Sequence, residues 1–218
     1  VIAGLCVVHE LAFLQATSTP TVGLFARDRR LAHNPAAALY TSHSYSRGEL
    51  RGAWPLAERP PVADVAAADL VGRPCGGGQG DGASSRLAEL LTVAHGLGVR
   101  RVGVAFCVGL SEEAGRLVRV LEANGFGVAS ACCKTGGVPK ERAGLRDDEK
   151  LRPGRPEAIC NPALQARLLD DAGVQLVVLL GLCAGHDAVA MARLETPVVG
   201  LVVKDRRLAH NPVAALPR

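Results

Sequence analysis

Apolar residues in the second half of the chain gather in short runs, and the segments between those runs have a helical apolar period. The runs are rich in valine, leucine and alanine and cover residues 101–107, 127–133, 175–183 and 197–204. Before the first run, Leu87, Leu90 and Leu91 fall on one helical face. Nearly continuous apolar strands that alternate with helices are typical of a parallel sheet covered on both faces. We therefore predict an α/β, Rossmann-like three-layer domain with a mostly parallel sheet over residues 85–218.

Helix starts between the runs are marked by residues that commonly cap helices. Asn161-Pro162 and Asn211-Pro212 each place an N-cap side chain before a proline in the first turn. Ser111 is predicted to cap a further helix, whose first turn carries two glutamates suited to its positive end. The stretch 134–159 is rich in charge, glycine and proline, so we predict a long loop between the second strand and the Asn161 helix.

The first forty residues resemble residues 178–217 at the end of the chain without a gap. Cys6 matches Cys183 at an offset of 177 positions. At the same offset, the heptapeptide Arg-Arg-Leu-Ala-His-Asn-Pro occurs letter for letter at 29–35 and at 206–212. A single repeat at so long an offset indicates a tandem duplication of a whole domain rather than a solenoid. We therefore predict that residues 1–40 are the C-terminal part of a first repeat copy.

Residues 41–84 differ from both copies, because they are rich in proline, glycine and arginine, and we predict a linker there. Their glycine run at 76–82 has no preceding strand and no Lys-Ser or Lys-Thr ending, which argues against a phosphate loop. The strands of the partial copy have exposed edges, so we expect residues 1–40 to dock on the second domain or on another copy of the chain. Since the chain begins at Val1 within strand-like sequence, we also expect it to continue a longer reading frame.

Composition excludes several classes of partner. The formal charge is only +4 and aromatic residues make up 3%, so neither a phosphate-tracking stripe nor a base-stacking platform is expected, and nucleic acid is not an expected partner. No apolar run approaches the roughly 20 residues that span a membrane, so no membrane association is expected. Seven cysteines without a signal peptide predict a reducing compartment, the cytoplasm, where thiols serve as core residues, metal ligands or redox groups.

Cysteines and histidines fall where a parallel sheet places its functional sites, beyond the carboxyl ends of the strands. Some candidates end a strand or lie in the turn that follows it, and others immediately precede an Asn-Pro helix start. The candidates are Cys107, Cys132, Cys133, Cys160, Cys183, His186 and His210. Helix N-termini favour thiolate, the form of cysteine that binds metals and attacks electrophiles. We therefore predict a functional thiol or metal site at this edge of the sheet.

Three functions are compatible with this set of residues. A metal site would combine thiolates with imidazole, a donor set that suits zinc or an iron–sulfur cluster. A thiol-dependent enzyme would use Cys107 or Cys183 as the nucleophile, with His186 as the base. A small-ligand-binding α/β domain would leave the cysteines structural. The sequence lacks a Cys-x-x-Cys pair, so spacing does not identify a metal.

Five motifs occur in the same order in a known family. They are Phe-Cys-Val-Gly-Leu at 106–110, Cys-Cys-Lys-Thr-Gly-Gly-Val-Pro-Lys at 132–140, Cys-Asn-Pro at 160–162, Gly-Leu-Cys-Ala-Gly-His-Asp at 181–187 and Val-Lys-Asp-Arg-Arg-Leu-Ala-His-Asn-Pro-Val-Ala-Ala-Leu at 203–216. Through them the chain resembles an uncharacterised prokaryotic family of unknown function, whose members are often labelled "metal-binding protein". The resemblance covers about residues 87–216, and residues 1–40 resemble the family's C-terminal third again. Family members usually begin with a cysteine-rich segment, whereas this chain has a linker with only Cys75 there.

Overall fold

The computed structural model describes residues 2–3, 23–25 and 85–211. The strands are β1 (Ile2–Ala3), β2 (Gly23–Phe25), β3 (Arg101–Phe106), β4 (Gly127–Cys132), β5 (Leu176–Leu180) and β6 (Val198–Val202). The helices are α1 (Arg86–Gly96), α2 (Ser111–Ala123), α3 (Pro162–Asp171) and α4 (Ala184–Arg193). Short 3₁₀ helices cover Val108–Leu110, Lys140–Ala143 and Asp147–Glu149.

The predicted α/β architecture is confirmed. Strands β3 to β6 form one parallel sheet in the order β4-β3-β5-β6. Every residue of β5 is buried, as expected for a central strand covered on both faces. The chain runs from β3 to β4 in one direction and then turns back to β5 and β6. Because such crossovers are right-handed, this reversal puts α2 on one face of the sheet and α3 and α4 on the other, which makes three layers.

The end of β5 is set by a glycine. The apolar run predicted a strand as far as residue 183, but β5 stops at Leu180. Gly181 adopts a φ of +63°, and a Cβ there would lie 2.5 Å from Cδ2 of Leu110. The positive φ and the close approach of Leu110 both require glycine, and together they turn the chain out of the sheet. Cys183 therefore lies at the N-cap of α4, three residues beyond the strand.

The two helix caps predicted within the described residues had opposite outcomes. Asn161 caps α3 as expected, because its side-chain oxygen accepts a hydrogen bond from the N–H of Leu164 at 3.0 Å. The prediction that Ser111 caps α2 was wrong. A 3₁₀ turn precedes α2, and the Ser111 hydroxyl donates to the carbonyl of Val108 at 2.6 Å instead of receiving a bond from the helix. The final helix predicted after Asn211 lies outside the described residues.

The stretch predicted as a long loop is held together by specific contacts. Pro139 and Ala158 form an isolated antiparallel bridge, which folds the stretch back on itself. Beside it, the Lys140 ammonium lies 2.5 Å from the Glu157 carboxylate, and both side chains are mostly shielded from water. The stretch therefore returns to the sheet in a fixed position just before α3.

Strands β1 and β2 pair with each other in a register that matches the pair β5 and β6. Ile2 lies opposite Gly23 and Ala3 opposite Phe25, with an irregularity between the two pairs. At the 177-residue offset these become the pairs of Leu179 with Gly200 and of Leu180 with Val202, where β5 and β6 have the same irregularity. The remainder of the predicted first copy, its docking and the predicted linker lie outside the described residues, so the duplication stays a prediction.

Within the part of the chain that the structure describes, no helix has both the length and the apolar character needed to cross a membrane.

Candidate functional site

The candidate site lies where the strand order reverses. From β3 the chain goes outward to β4 and later arrives at β5, on the other side of β3. The crossovers on either side of this point lie on opposite faces, which leaves a crevice beyond the carboxyl ends of β3 and β5. Cys107 directly follows β3 at this crevice, and its N–H donates to the carbonyl of Leu180 at 3.3 Å. The sheet topology thus places Cys107 at the position where ligands of such folds bind.

The sulfur of Cys107 contacts a lysine that follows β6, the edge strand two positions from β3 in the sheet. The Lys204 ammonium, two residues beyond β6, donates to Sγ of Cys107 at 2.5 Å. The backbone N–H of Gly109 and the thiol of Cys133 are close enough to lower the pKa of this sulfur as well. Cys107 itself is only 6% exposed. A buried sulfur that receives a hydrogen bond from a cation is arranged to carry negative charge.

The pKa of Cys107 reflects this competition between burial and donors. Burial raises it, because the thiolate loses hydration. The hydrogen bonds from Lys204 and Gly109 and the charge of Lys204 lower it, and the hydrogen bond from Cys133 adds to them. The donors prevail, so the pKa of Cys107 lies below its ordinary value. The thiolate is therefore more populated at neutral pH than it is in an ordinary cysteine.

Cys133 lies beside Cys107 and behaves in the opposite way. Burial raises its pKa, a hydrogen bond from the N–H of Val108 at 3.3 Å opposes this, and charge on Cys107 or Cys160 raises it again. The result is a pKa of about 12. Cys133 is 1% exposed. It therefore stays a protonated thiol at neutral pH.

Cys160 completes a row of three thiols. Its sulfur lies 3.8 Å from Sγ of Cys133, and the N–H of the next residue, Asn161, donates to the Cys133 carbonyl at 2.8 Å. From α3, the fully buried Gln165 amide donates to the carbonyls of Phe106 and Ala131, at 3.1 and 2.8 Å. These bonds fix the start of α3 to the ends of β3 and β4. The row therefore runs from Lys204 through the three sulfurs to the end of the long loop.

Gly109 marks an open space beside the sulfur of Cys107. It lies in the 3₁₀ turn after Cys107 and is exposed, as is Val108. A Cβ built on Gly109 would lie 3.9 Å from Sγ of Cys107 and 4.0 Å from Nζ of Lys204, with no other residue nearer apart from its chain neighbours. A group the size of a methyl thus fits beside both atoms.

The other predicted site residues lie at the same edge but outside this row. Cys132 is partly buried, and its sulfur accepts a hydrogen bond from the N–H of Lys134 at 3.5 Å. Cys183 is partly buried at the N-cap of α4. Among residues 85–211, the described hydrogen bond to the Cys107 sulfur comes from Lys204, so a histidine base beside the thiol is not part of the described geometry.

The two histidines are partly buried and share a cationic neighbour. Burial lowers the pKa of His186, and the charges of Lys134 and Lys204 lower it further. Burial also lowers the pKa of His210, with Glu113 opposing and Lys204 adding to the effect. His210 adopts a φ of +64°, and its Nδ1 accepts a hydrogen bond from the Asp205 N–H at 3.2 Å. Both imidazoles are therefore neutral at pH 7.

The donor set fits a metal only in part. Zinc bonds to sulfur at about 2.3 Å in a tetrahedron, which places two ligating sulfurs roughly 3.8 Å apart. Cys133 and Cys160 have this separation. Within residues 85–211, however, no three side chains of histidine, cysteine, aspartate or glutamate gather into a group that would hold a metal ion.

Sequence reasoning missed the roles of Lys204 and Gly109. Lys204 was noticed only as part of the Val-Lys-Asp segment after the last apolar run, and Gly109 only as part of the Phe-Cys-Val-Gly-Leu motif. The available signal was position: a lone lysine directly after a buried strand lies at the same edge as the cysteines. Its contact with Cys107 crosses 97 positions of sequence, which no local pattern reveals.

Comparison with known proteins places the chain in a family. Residues 64–201, well over half of the chain, match the model of the family described as "Protein of unknown function (DUF1847)". The chain belongs to this family. The match begins at residue 64, inside the stretch predicted as a linker, and it includes the three thiols of the row. This agrees with the expected membership of an uncharacterised family.

A curated relative supports the same membership. The chain is 36% identical over 132 residues to "Uncharacterized protein MJ0455" of the archaeon Methanocaldococcus jannaschii. The alignment covers 61% of this chain and 66% of the relative, so the chain spans slightly less than two thirds of that protein. No solved structure matches the chain.

Proposed function

We propose that this member of the DUF1847 family is a thiol-dependent catalyst in which Cys107 is the nucleophile. The observation that carries the proposal is the contact of 2.5 Å between the Lys204 ammonium and Sγ of Cys107. A cation at this distance favours thiolate over thiol, and thiolate is the form of cysteine that attacks electrophiles. The position of Cys107 at the topological switch point supports the same role.

Each neighbour of Cys107 has a distinct part in this chemistry. Lys204 and the N–H of Gly109 stabilise the thiolate before attack. Cys133, which keeps its proton at neutral pH, provides a neutral donor that does not compete as a second anion. An electrophile approaches through the space beside Gly109, where the sulfur and the ammonium are both within reach. Once Cys107 has formed a covalent bond, the Lys204 charge is available to stabilise a departing anion.

Selective alkylation tests the proposal. The full chain is treated with limiting iodoacetamide at pH 7 and digested, and alkylation at each cysteine is followed by mass spectrometry. We expect Cys107 to be alkylated first despite being 6% exposed, because its thiolate is the most populated. The matched control is Cys183, which is more exposed and sits at a helix N-cap. Equal or faster alkylation of Cys183, with Cys107 sluggish, contradicts the proposal. The Cys107→Ser variant confirms the assignment of the fast site.

A bound metal is the second candidate function, favoured by the 3.8 Å separation of Cys133 and Cys160. That separation equals the edge of a zinc–sulfur tetrahedron, whereas an iron–sulfur cluster holds its protein thiolates farther apart. Elemental analysis of anaerobically purified protein tests it. One zinc or iron per chain, lost in the Cys160→Ser variant, supports this candidate, and metal-free protein with titratable thiols rejects it.

Location in a reducing compartment such as the cytoplasm is also proposed. The five cysteines among the described residues are free thiols, although two of them lie 3.8 Å apart. Thiols so close together persist only where the surroundings are reducing or where they cycle between two redox states.

A further inference from the structure

The row of sulfurs continues beyond the nucleophile. We propose that Cys107, Cys133 and Cys160 form a thiol–disulfide relay that accepts oxidising equivalents from a small disulfide and stores them as a Cys133–Cys160 disulfide. This inference rests on the proposed nucleophilic role of Cys107. It goes further by naming the substrate class, the disulfide of a low-molecular-weight thiol, and by giving Cys133 and Cys160 redox roles.

The first exchange requires Cys107 and Cys133 to approach each other, and the sheet register ensures this. Strands β3 and β4 pair in parallel up to Phe106 opposite Cys132, and the N–H of Cys133 donates to the Phe106 carbonyl at 2.8 Å. Cys107 and Cys133 are the next pair in this register. Neighbouring strands lie about 4.8 Å apart, and disulfides join Cα atoms that are about 4.4–6.8 Å apart. The two side chains also interact electrostatically, because charge on Cys107 raises the pKa of Cys133.

The second exchange requires Cys160 to reach Cys133. Their sulfurs are 3.8 Å apart, so a small rotation of the side chains suffices for bonding. The backbone bond from Asn161 to Cys133 keeps the two residues together at 2.8 Å. Cys160 is only partly buried, whereas Cys133 is 1% exposed. The relay thus carries a disulfide from the buried sheet end to a position that a reductant reaches.

The size of the opening argues for a small disulfide. Cys107 is 6% exposed, and a group of methyl size has room beside its sulfur at Gly109. The flexible disulfide of a small thiol such as glutathione can bring its S–S bond to such a site, whereas a disulfide embedded in a folded protein cannot. Attack also needs the thiolate to lie in line with the S–S bond, which a flexible small molecule achieves most easily.

The chemistry balances in three steps. The Cys107 thiolate attacks the small disulfide R–S–S–R, so that a Cys107–S–R bond forms, the S–S bond breaks and R–S⁻ leaves with the electron pair. The first R–S⁻ takes the proton of Cys133, whose pKa is no longer raised by a charge on Cys107, and the Cys133 thiolate then attacks Sγ of Cys107 and releases the second R–S⁻. Cys160 attacks Sγ of Cys133, loses its proton to the other R–S⁻ and frees the Cys107 thiolate. In sum, one small disulfide is reduced to two thiols, and two cysteine thiols are oxidised to one disulfide.

Disulfide mapping tests the relay. The full, reduced chain is mixed with a small excess of oxidised glutathione and quenched with acid, and its peptides are analysed without reduction. In the wild type we expect a Cys133–Cys160 disulfide and two glutathione thiols released per chain. Cys160→Ser is expected to stop at a Cys107–Cys133 disulfide, and Cys133→Ser at glutathione attached to Cys107. The control, Cys132→Ser, removes a neighbouring thiol outside the row and is expected to give the wild-type products.

The outcomes separate the relay from the nucleophile on which it rests. If glutathione stays on Cys107 in the wild type as it does in Cys133→Ser, the relay is overturned while the nucleophile stands. If Cys107 is neither glutathionylated nor alkylated faster than Cys183, the proposed nucleophile fails as well. If circular dichroism shows that Cys133→Ser does not fold, two measurements still test the relay: the products of Cys160→Ser, a change at a partly buried residue, and the time course of the wild type. If the Cys107–Cys133 disulfide is found in neither the Cys160→Ser products nor the wild-type time course, the relay is rejected.

Discussion

Cys107 and Cys133 directly follow neighbouring strands, and both are almost fully buried, yet their acidities diverge. Burial raises the pKa of both thiols. Cys107 has an ammonium at 2.5 Å and ends with a lowered pKa, whereas Cys133 has two other thiols beside it and a pKa of about 12. The difference teaches that burial does not make a cysteine inert. One lysine lowers the pKa of one of two similar thiols, while the other stays protonated at neutral pH.

Removing the lysine is the change with the largest expected effect on this contrast. In Lys204→Met the burial of Cys107 remains but its cationic donor is lost, so its pKa rises towards that of Cys133. A nearby opposite charge shifts a pKa by roughly 1–3 units, so we expect alkylation of Cys107 at pH 7 to slow by about 100-fold. The measurement is the iodoacetamide rate at Cys107 from pH 5 to 10. The wild-type rate rises through the lowered pKa, and the variant rate rises only at higher pH.

Two matched variants make this prediction specific to the charge beside the sulfur. Lys134→Met removes another cation of the same edge, whose Nζ donates to the Ala158 carbonyl rather than to Cys107, and should leave the profile nearly unchanged. Lys204→Arg keeps the charge and is expected to retain part of the reactivity. At the 177-residue offset, the predicted first repeat copy has Arg27 in place of Lys204. Equal losses in the two methionine variants would show that the contrast does not depend on the Lys204 contact.

Filling the space beside the sulfur is expected to have a moderate effect. In Gly109→Ala the new methyl lies at ordinary contact distance, 3.9 Å from Sγ of Cys107 and 4.0 Å from Nζ of Lys204. The fold should tolerate the methyl group, but the space through which an electrophile approaches the sulfur becomes narrower. We expect alkylation to slow by about three- to tenfold, equivalent to roughly 0.7–1.4 kcal/mol, with an unchanged midpoint of the pH profile. Gly185→Ala, at an open position of α4, serves as control. A shifted midpoint in Gly109→Ala would mean that the turn, not access, had changed.

The pH dependence of stability gives the smallest expected effect. Between the lowered pKa of Cys107 and the ordinary value of 9.0, the folded thiol has lost its proton while the unfolded one keeps it, so the free energy of unfolding rises with pH. Between 9.0 and about 12 the folded Cys133 keeps a proton that the unfolded chain loses, so the free energy falls.

Urea unfolding of the wild type, Cys107→Ser and Cys133→Ala at pH 6 to 10 measures these two slopes. Cys107→Ser should lose the rise and Cys133→Ala should reduce the fall, each by less than about 1.4 kcal/mol per pH unit. Identical slopes in all three proteins would contradict the lowered pKa of Cys107 and the raised pKa of Cys133 in the folded protein.

Most of the fold was predictable because apolar period and capping are local properties. The bounds of α1 and α3 agree with the sequence pattern, and Asn161-Pro162 starts its helix as predicted. The end of β5 was not predictable, since the apolar run continues through Gly181 as far as Cys183. Its end depends on Leu110, which packs where a side chain at residue 181 would lie and is 71 positions away in sequence.

The sequence predicts where in the fold the candidate site lies, but not which of its side chains contact each other. Topology alone brings the strand-end cysteines to one edge, and Cys107, Cys133 and Cys160 do lie together there. The sequence does not show which of two adjacent cysteines, 132 or 133, faces the row, because either alternation fits a strand. Nor does it show that a lysine rather than a histidine contacts Cys107.

The spacing of the three cysteines along the chain also determines what drives a disulfide between them. Cys133 follows Cys107 by 26 positions, and Cys160 follows Cys133 by 27. The entropy lost on closing a covalent ring depends on the logarithm of its length, so the two rings differ by less than about 0.1 kcal/mol. Chain entropy therefore favours neither disulfide. The direction of exchange therefore depends on the pKa of the sulfur that leaves. Because Lys204 lowers the pKa of Cys107, Cys107 is the better leaving group.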